Sequence, residues 1–246
     1  MNDVRNGKLS FEDDSVQIGS IPVLYTGLFG VGNLPFVMNI KHAYTNMVTK
    51  EDAIAERRYT KKNKEHYRGM SVDGMSAAIA ALQEPIAILD SWRVKNAPSI
   101  AVILDVEGYK NPLYGVIQFY ANRREGHSAP HFTHALVTIY DKLNLSETLH
   151  DAVENGKVLY VKKGTSPTGT HVTKAYASLS DDVLTSNLAR FNEELKTFRA
   201  NRGINFSREL PQGSESIIPY AERESRSEGG TRTRPRRRPE MPELFG

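Results

Sequence analysis

Two stretches of this chain carry residue types suited to phosphodiester chemistry. His66-Tyr67-Arg68-Gly69-Met70-Ser71 places an imidazole and a guanidinium at the mouth of a helix, and Glu84-Pro85-Ile86-Ala87-Ile88-Leu89-Asp90-Ser91 leads from that helix into a strand. A histidine titrates near neutrality and suits a general acid or base. A guanidinium holds phosphate charge. Between Arg57 and Arg68 stand six cations (Arg57, Arg58, Lys61, Lys62, Lys64 and Arg68) against one acid, Glu65. Such a run either steers phosphate or is a solvated helix face. Later strands add Tyr, Thr, Lys and a further His.

These groups need a scaffold, and hydrophobic spacing outlines one. Residues 1–15 are polar and read as a flexible N-terminus. Val16 to Gly32 reads as a strand and turns, broken by Gly and Pro, and Leu34 to Ile40 as a short strand. Residues 41–58 read as a helix. Ser71 is a good N-cap for a helix over 72–83, which Pro85 stops. Strands follow at 86–92, 99–107, 113–121 and 134–141, then a helix over 145–155 ended at Gly156, and a strand over 158–162. A loop leads to a last helix over 180–200. From 204 to 246 the chain is rich in Ser, Glu, Arg and Pro and reads as a disordered tail. Short links between strands favour antiparallel pairing, so the fold class is α+β, not a doubly wound sheet.

Strict alternation along the strands sorts side chains by face. It gives one row of Ala135, Val137 and Ile139 and another of His134, Leu136, Thr138 and Tyr140. If helices cover the aliphatic rows, the other face carries Gln118, Tyr120, His134, Thr138, Tyr140, Tyr160 and Lys162. Aromatics there can stack on bases and cations can meet phosphates. The plainer reading is a solvated face, common in antiparallel sheets.

Composition narrows the classes. The 246 residues are 39% hydrophobic, which leaves room for one domain with solvated appendages. There is no cysteine, so disulfides and thiolate metal sites are excluded. No apolar run reaches the roughly 18 residues of a membrane span. His127, His131 and His134 lack a recognised metal-ligand spacing, and Gly27-x-x-Gly30-x-Gly32 lacks the Lys-Ser/Thr of a phosphate loop. No metal or other cofactor is expected. The net charge of +3 says little about partners, although Arg232 to Arg238 forms a second basic block.

The order of the segments resembles one family. Ile21-Pro22-Val23-Leu24, Leu34-Pro35-Phe36-Val37-Met38, the two stretches above, and Gly156-Lys157-Val158-Leu159-Tyr160-Val161-Lys162-Lys163 follow the cadence of the phage MuF C-terminal domain and its relatives in polyvalent proteins of phages and mobile elements. These resemble the compact nucleases of the barnase, EndoU, colicin and RelE (BECR) group. The resemblance covers residues 16–165. It implies N-terminal helices packed on a four- to five-stranded antiparallel sheet, followed here by a loop and C-terminal helix over 166–203. It also implies a metal-independent endoribonuclease of toxin or effector type, acting in the cytoplasm of a host bacterial cell or delivered by a phage. RNA, tRNA included, is the implied substrate, and an immunity protein or phage head proteins are the implied partners.

Position by position, the family's His before the helix is matched by His66, its Ser after the first central strand by Ser91, and the Tyr of its final strand by Tyr160. Thr138-Ile139-Tyr140 stands where relatives read Ser-Val-Tyr. Relatives often have His-Gly where this chain has His66-Tyr67-Arg68-Gly69. In the implied reaction a base takes the 2′-hydroxyl proton, the oxygen attacks phosphorus, and an acid protonates the leaving 5′-oxygen. His66 is the expected acid or base. Arg68 and Lys162 would hold phosphate charge, Thr138, Tyr140 and Tyr160 would donate hydrogen bonds, and Ser91 would position substrate. Gln118, Tyr120 and His134 complete the expected binding surface. The plainer alternatives are a surface histidine at 66, a turn residue at 91, and ordinary sheet packing for the tyrosines. A non-catalytic module that binds nucleic acid or protein, and a phage-head packaging accessory, are the competing functions.

Overall fold

The Val- and Ile-rich segments form seven strands of a single sheet. The computed structural model describes residues 14–57, 67–92, 97–125, 131–142, 144–163, 176 and 179–204. In chain order the elements are β1 (Asp14–Ser20), α1 (Val23–Phe29), β2 (Pro35–Asn39), α2 (Ile40–Met47), α3 (Lys50–Ala55), α4 (Val72–Ala81), β3 (Ala87–Asp90), β4 (Ser99–Leu104), β5 (Leu113–Glu125), β6 (His131–Asp141), α5 (Leu145–Glu154), β7 (Val158–Val161) and α6 (Asp181–Asn201). The sheet order is β1-β2-β6-β5-β4-β3-β7. All neighbours are antiparallel except β2 and β6, which run parallel. The fold is therefore α+β as expected, with seven strands among the described residues rather than four or five.

Local chemistry explains most element boundaries. The Ser71 hydroxyl accepts the Gly74 N–H at 3.0 Å and starts α4 as the sequence suggests. The single helix expected over 41–58 is two, because Val48 is extended and Thr49 caps a new helix. Its hydroxyl accepts the Asp52 N–H at 3.1 Å and donates to the Asp52 carboxylate at 2.8 Å. Helix α1, unforeseen in a stretch broken by Pro22 and Gly27, ends on Gly30 at φ 58. The expected flexible N-terminus and disordered tail fall largely on residues 1–13 and 205–246, outside the described residues. Asp14 and Ser15 already belong to β1 and are buried, and Ile204 packs on the core.

One face of the sheet carries the main core. Ile88, Ile100, Val102, Ile117, Phe119, Leu136 and Phe36 meet Tyr25 and Phe29 of α1, Met75 of α4 and its C-cap Leu82, and Phe191 and Leu195 of α6. The Phe29 ring lies 5.3 Å from Phe119 and 5.4 Å from Phe191. Burying each such ring is worth about 1.5–3 kcal/mol. On the opposite face α5 packs on β3, β4 and β7, through Leu149 and Ala152 against Ala87, Leu89, Ala101 and Val158, and Tyr114 of β5 packs at the edge of this cluster.

At the other end the sheet closes on itself. Strand β1 pairs with β2 and also, in parallel, with the far end of β5, Asp14 opposite Arg124 and Ser15 opposite Glu125. The pairings β1–β2–β6–β5–β1 thus form a ring of four strands. Three of them supply the small buried cluster Val37, Ala121 and Ala135.

Three bulges break the alternation on which the sequence-based faces rest. Val116 pairs with Thr138 but Ile117 pairs with Leu136, so Val137 is an extra residue in β6. Gln118 pairs with Ala135 and Ala121 with Thr133, which puts Phe119 and Tyr120 of β5 against His134 alone. Ile88 pairs with Tyr160 and Leu89 with Val158, leaving Leu159 extra in β7. Each bulge reverses the side to which the following residues point.

Candidate nucleic-acid interface

Between α5 and the strand ring, the face of β5 and β6 opposite the main core carries Tyr114, Val116, Gln118, Thr138 and Tyr140, all half-buried. Tyr114 pairs with Tyr140 and Val116 with Thr138, so each pair shares that face. The two tyrosine rings lie 5.7 Å apart and tilted by 56°. A cation caps each of them. The Arg68 guanidinium lies 4.6 Å from the centroid of Tyr140, and the Lys142 ammonium lies 4.3 Å from that of Tyr114. Further along β5, the Arg123 guanidinium donates to the side-chain oxygen of Gln118 at 3.1 Å.

The backbone fixes Arg68 in place. The N–H groups of Arg68, Gly69 and Met70 donate to the carbonyls of Thr45, Val48 and Asn46 at 3.0, 3.3 and 2.9 Å, along the end of α2. Gly69 turns there at φ 64, where a Cβ would meet the Thr49 methyl at 3.0 Å. Glycine is therefore required at this position. Among the described residues, Arg68, Lys142 and Arg123 have no carboxylate partner. Aromatic rings and an amide hold them instead, so no described residue neutralises their charge.

The structure thus brings together Arg68, Gln118, Thr138 and Tyr140 of the residues singled out from sequence, and adds Tyr114, Lys142 and Arg123. The pattern missed Tyr114 although it lies two residues from Val116 and four from Gln118 on the same strand. His66 lies outside the described residues.

Two of the expected surface residues are core. The side chains of His134 and Tyr120 are buried, on the main-core side of the sheet. The His134 ring packs edge-on against Phe119 at 5.5 Å and against Tyr120 at 5.4 Å. Its Nε2–H donates to the Gly32 carbonyl at 2.8 Å, and Nδ1 has no partner. Burial pushes its pKa down to about 4, against which the Gly32 hydrogen bond is the lesser influence, so the ring is neutral at pH 7. Tyr120 occupies the left-handed region at φ 54. That costs about 1–2 kcal/mol, which burial of its ring offsets.

Three others lie elsewhere. Tyr160 packs on the main core beside Ile88, and burial raises its pKa, with Lys162 lowering it and Glu84 raising it. It stands on the opposite face from Tyr140 and four strands away, about 19 Å at the usual strand spacing. A single site uniting Tyr140 with Tyr160 is therefore not formed. The Lys162 ammonium is paired with Glu84 at 2.8 Å, which holds the Glu84 carboxyl below its ordinary range. Ser91 is tied into the β3–β4 connection: its hydroxyl donates to the Ser99 hydroxyl at 3.2 Å, and that hydroxyl donates to the Ser91 carbonyl at 3.0 Å. It serves there as a turn residue.

Among the described residues no group of three or more potential metal ligands occurs, and no helix is long and apolar enough to cross a membrane.

Fold and face together define an α+β domain with a cation-capped aromatic strip that runs from the edge of the α5 cluster along β5 and β6. Residues 59–167 match the family model of the phage MuF C-terminal domain, so this segment of the chain is similar to that domain. Comparison with curated proteins and with solved structures gave no match. The matched segment holds α4, β3 to β7 and α5. It starts later than the resemblance read from residue 16, and β1 and β2 lie outside it. Every candidate residue named above lies inside it.

Proposed function

We propose that this phage-related domain binds single-stranded RNA along the β5–β6 face. The observation that carries the reading is the strip Arg68–Tyr140–Tyr114–Lys142, in which two cations with no carboxylate partner among the described residues flank two paired aromatic rings. Bases stack on aromatic side chains, and uncompensated cations meet phosphates at little cost because no ion pair must break. Thr138, on the same face, supplies a hydroxyl within the strip. Fluorescence anisotropy with a labelled oligouridylate tests the reading. The R68A/K142A double variant is expected to bind at least 10-fold more weakly than the unaltered full chain at equal salt. Equal affinity would overturn the assignment.

A second reading adds cleavage. His66 stands two residues ahead of Arg68 in the sequence, and Arg68 lies on Tyr140. In this reading His66 moves the proton, Arg68 holds the phosphorane charge, and Thr138 and Tyr140 donate hydrogen bonds. The 2′-oxygen attacks phosphorus, the P–O5′ bond breaks, and a 2′,3′-cyclic phosphate remains. Tyr160 and Ser91 take no part. Incubation of labelled RNA in chelator should give cyclic-phosphate ends, and H66A should slow the reaction by about 10²-fold or more. Binding without cleavage would leave the module reading alone. An immunity protein or a phage head protein is the proposed protein partner of either form.

A further inference from the structure

The half-buried Arg123 is poorly served by its surroundings. Burial pushes its guanidinium below its ordinary range, yet an arginine stays charged in proteins. Its Nε is buried with no hydrogen-bond partner, and the side-chain contact it makes is with the neutral oxygen of Gln118. Register brings the acid Asp14 opposite Arg124, not opposite Arg123, whose own partner across the ladder is His131. A cation partly withdrawn from water and left without a counter-charge is costly. An arriving oxyanion would remove that cost, and the planar fork of arginine matches the paired oxygens of a phosphate.

Position adds to this. Gln118 stands four residues beyond Tyr114 on β5, about 13 Å along the strand, on the face that carries the aromatic pair. Gln118 and Arg123 therefore continue the line of that strip. We propose that Arg123, oriented by Gln118, is a phosphate clamp that grips the backbone of the bound strand a few nucleotides from the bases stacked at Tyr114 and Tyr140. The proposal rests on the RNA-binding reading given above.

Two variants of the full chain test it. R123Q removes the charge. Q118E keeps the arginine but gives it a built-in carboxylate that competes with phosphate. Binding of labelled oligouridylate is measured from low to moderate salt, with circular dichroism as the check on folding. Each phosphate contact on a single strand contributes about 0.7 to the slope of log affinity against log salt. Both variants are expected to lose about that much slope and several-fold in affinity at low salt, while Y140A loses affinity with its slope unchanged. If the unaltered chain binds and both variants keep its slope, the clamp is refuted and the interface stands. If R123Q fails to fold, Q118E decides alone. If the unaltered chain does not bind, the interface reading fails and the clamp fails with it.

Discussion

Strands β5 and β6 present two faces with opposite uses of the same residue types. On one side Phe119, Tyr120 and His134 are sealed against α1 and the loop at Gly32, and the histidine is neutral with its one hydrogen bond spent on a backbone carbonyl. On the other, Tyr114 and Tyr140 are half-buried and capped by Arg68 and Lys142. Aromatic and basic side chains alone therefore do not mark a binding surface. What distinguishes the two faces is whether the charge can be expressed. Burial removes it from His134, whereas a π face leaves it intact on Arg68 and Lys142.

The contrast can be broken by experiment. The largest effect belongs to the sealed face. H134A should destabilise the fold by about 3 kcal/mol or more, read from denaturant unfolding, because it opens a cavity beside the Phe119 and Tyr120 rings. RNA affinity, measured under conditions where the variant is folded, should hold within about twofold. Next comes acid. The unfolded chain binds a proton at this residue near pH 6.5, the folded chain only near pH 4. Between those values the unfolded state holds more protons, so stability falls as the pH drops through that window, by about 3 kcal/mol in all. H134F should flatten this part of the pH–stability profile, and an unchanged slope would show that another group titrates.

On the half-exposed face the expectations reverse. Y140A should weaken RNA binding by roughly 10- to 100-fold, as loss of one stacking platform does, with only a small change in unfolding midpoint. A large loss of stability with intact binding would return Tyr140 to the structural group. The smallest effect is expected at β7. K162A breaks an exposed ion pair with Glu84 and should shift stability by less than about 1 kcal/mol and leave RNA affinity unchanged. A clear fall in affinity would bring Lys162 back into the binding site and undo the division of the sheet.

Much of the fold was legible in the sequence because local rules governed it. Ser71 capped its helix, Gly156 closed α5 at φ 60, and β4 and the first half of β5 read directly as apolar strands. The site was less legible because it depends on three single-residue insertions. Strict alternation put His134 with Thr138 and Tyr140, but the extra Val137 turns the latter two to the opposite side. The same error joined Tyr120 to Gln118 and placed Tyr160 on the wrong face. A bulge has no reliable single-residue signature, and Tyr120 hides its own by adopting a backbone conformation usually left to glycine. Arg68 was recognised from its neighbours in sequence, whereas Arg123 and Lys142 stood out only once their partners could be seen.

The four-strand closure has a practical consequence for anyone trimming this protein. Strands β1 and β2 lie outside the matched segment, yet β2 supplies the hydrogen-bonding neighbour of β6. A fragment cut at residues 59 and 167 would bare that flank of β6 as a row of unsatisfied amides and carbonyls, an invitation to strand exchange between molecules. Such a fragment should scatter light and elute as multimers where the full chain does not, and the boundaries drawn by sequence similarity would then fall short of the boundaries of the folding unit.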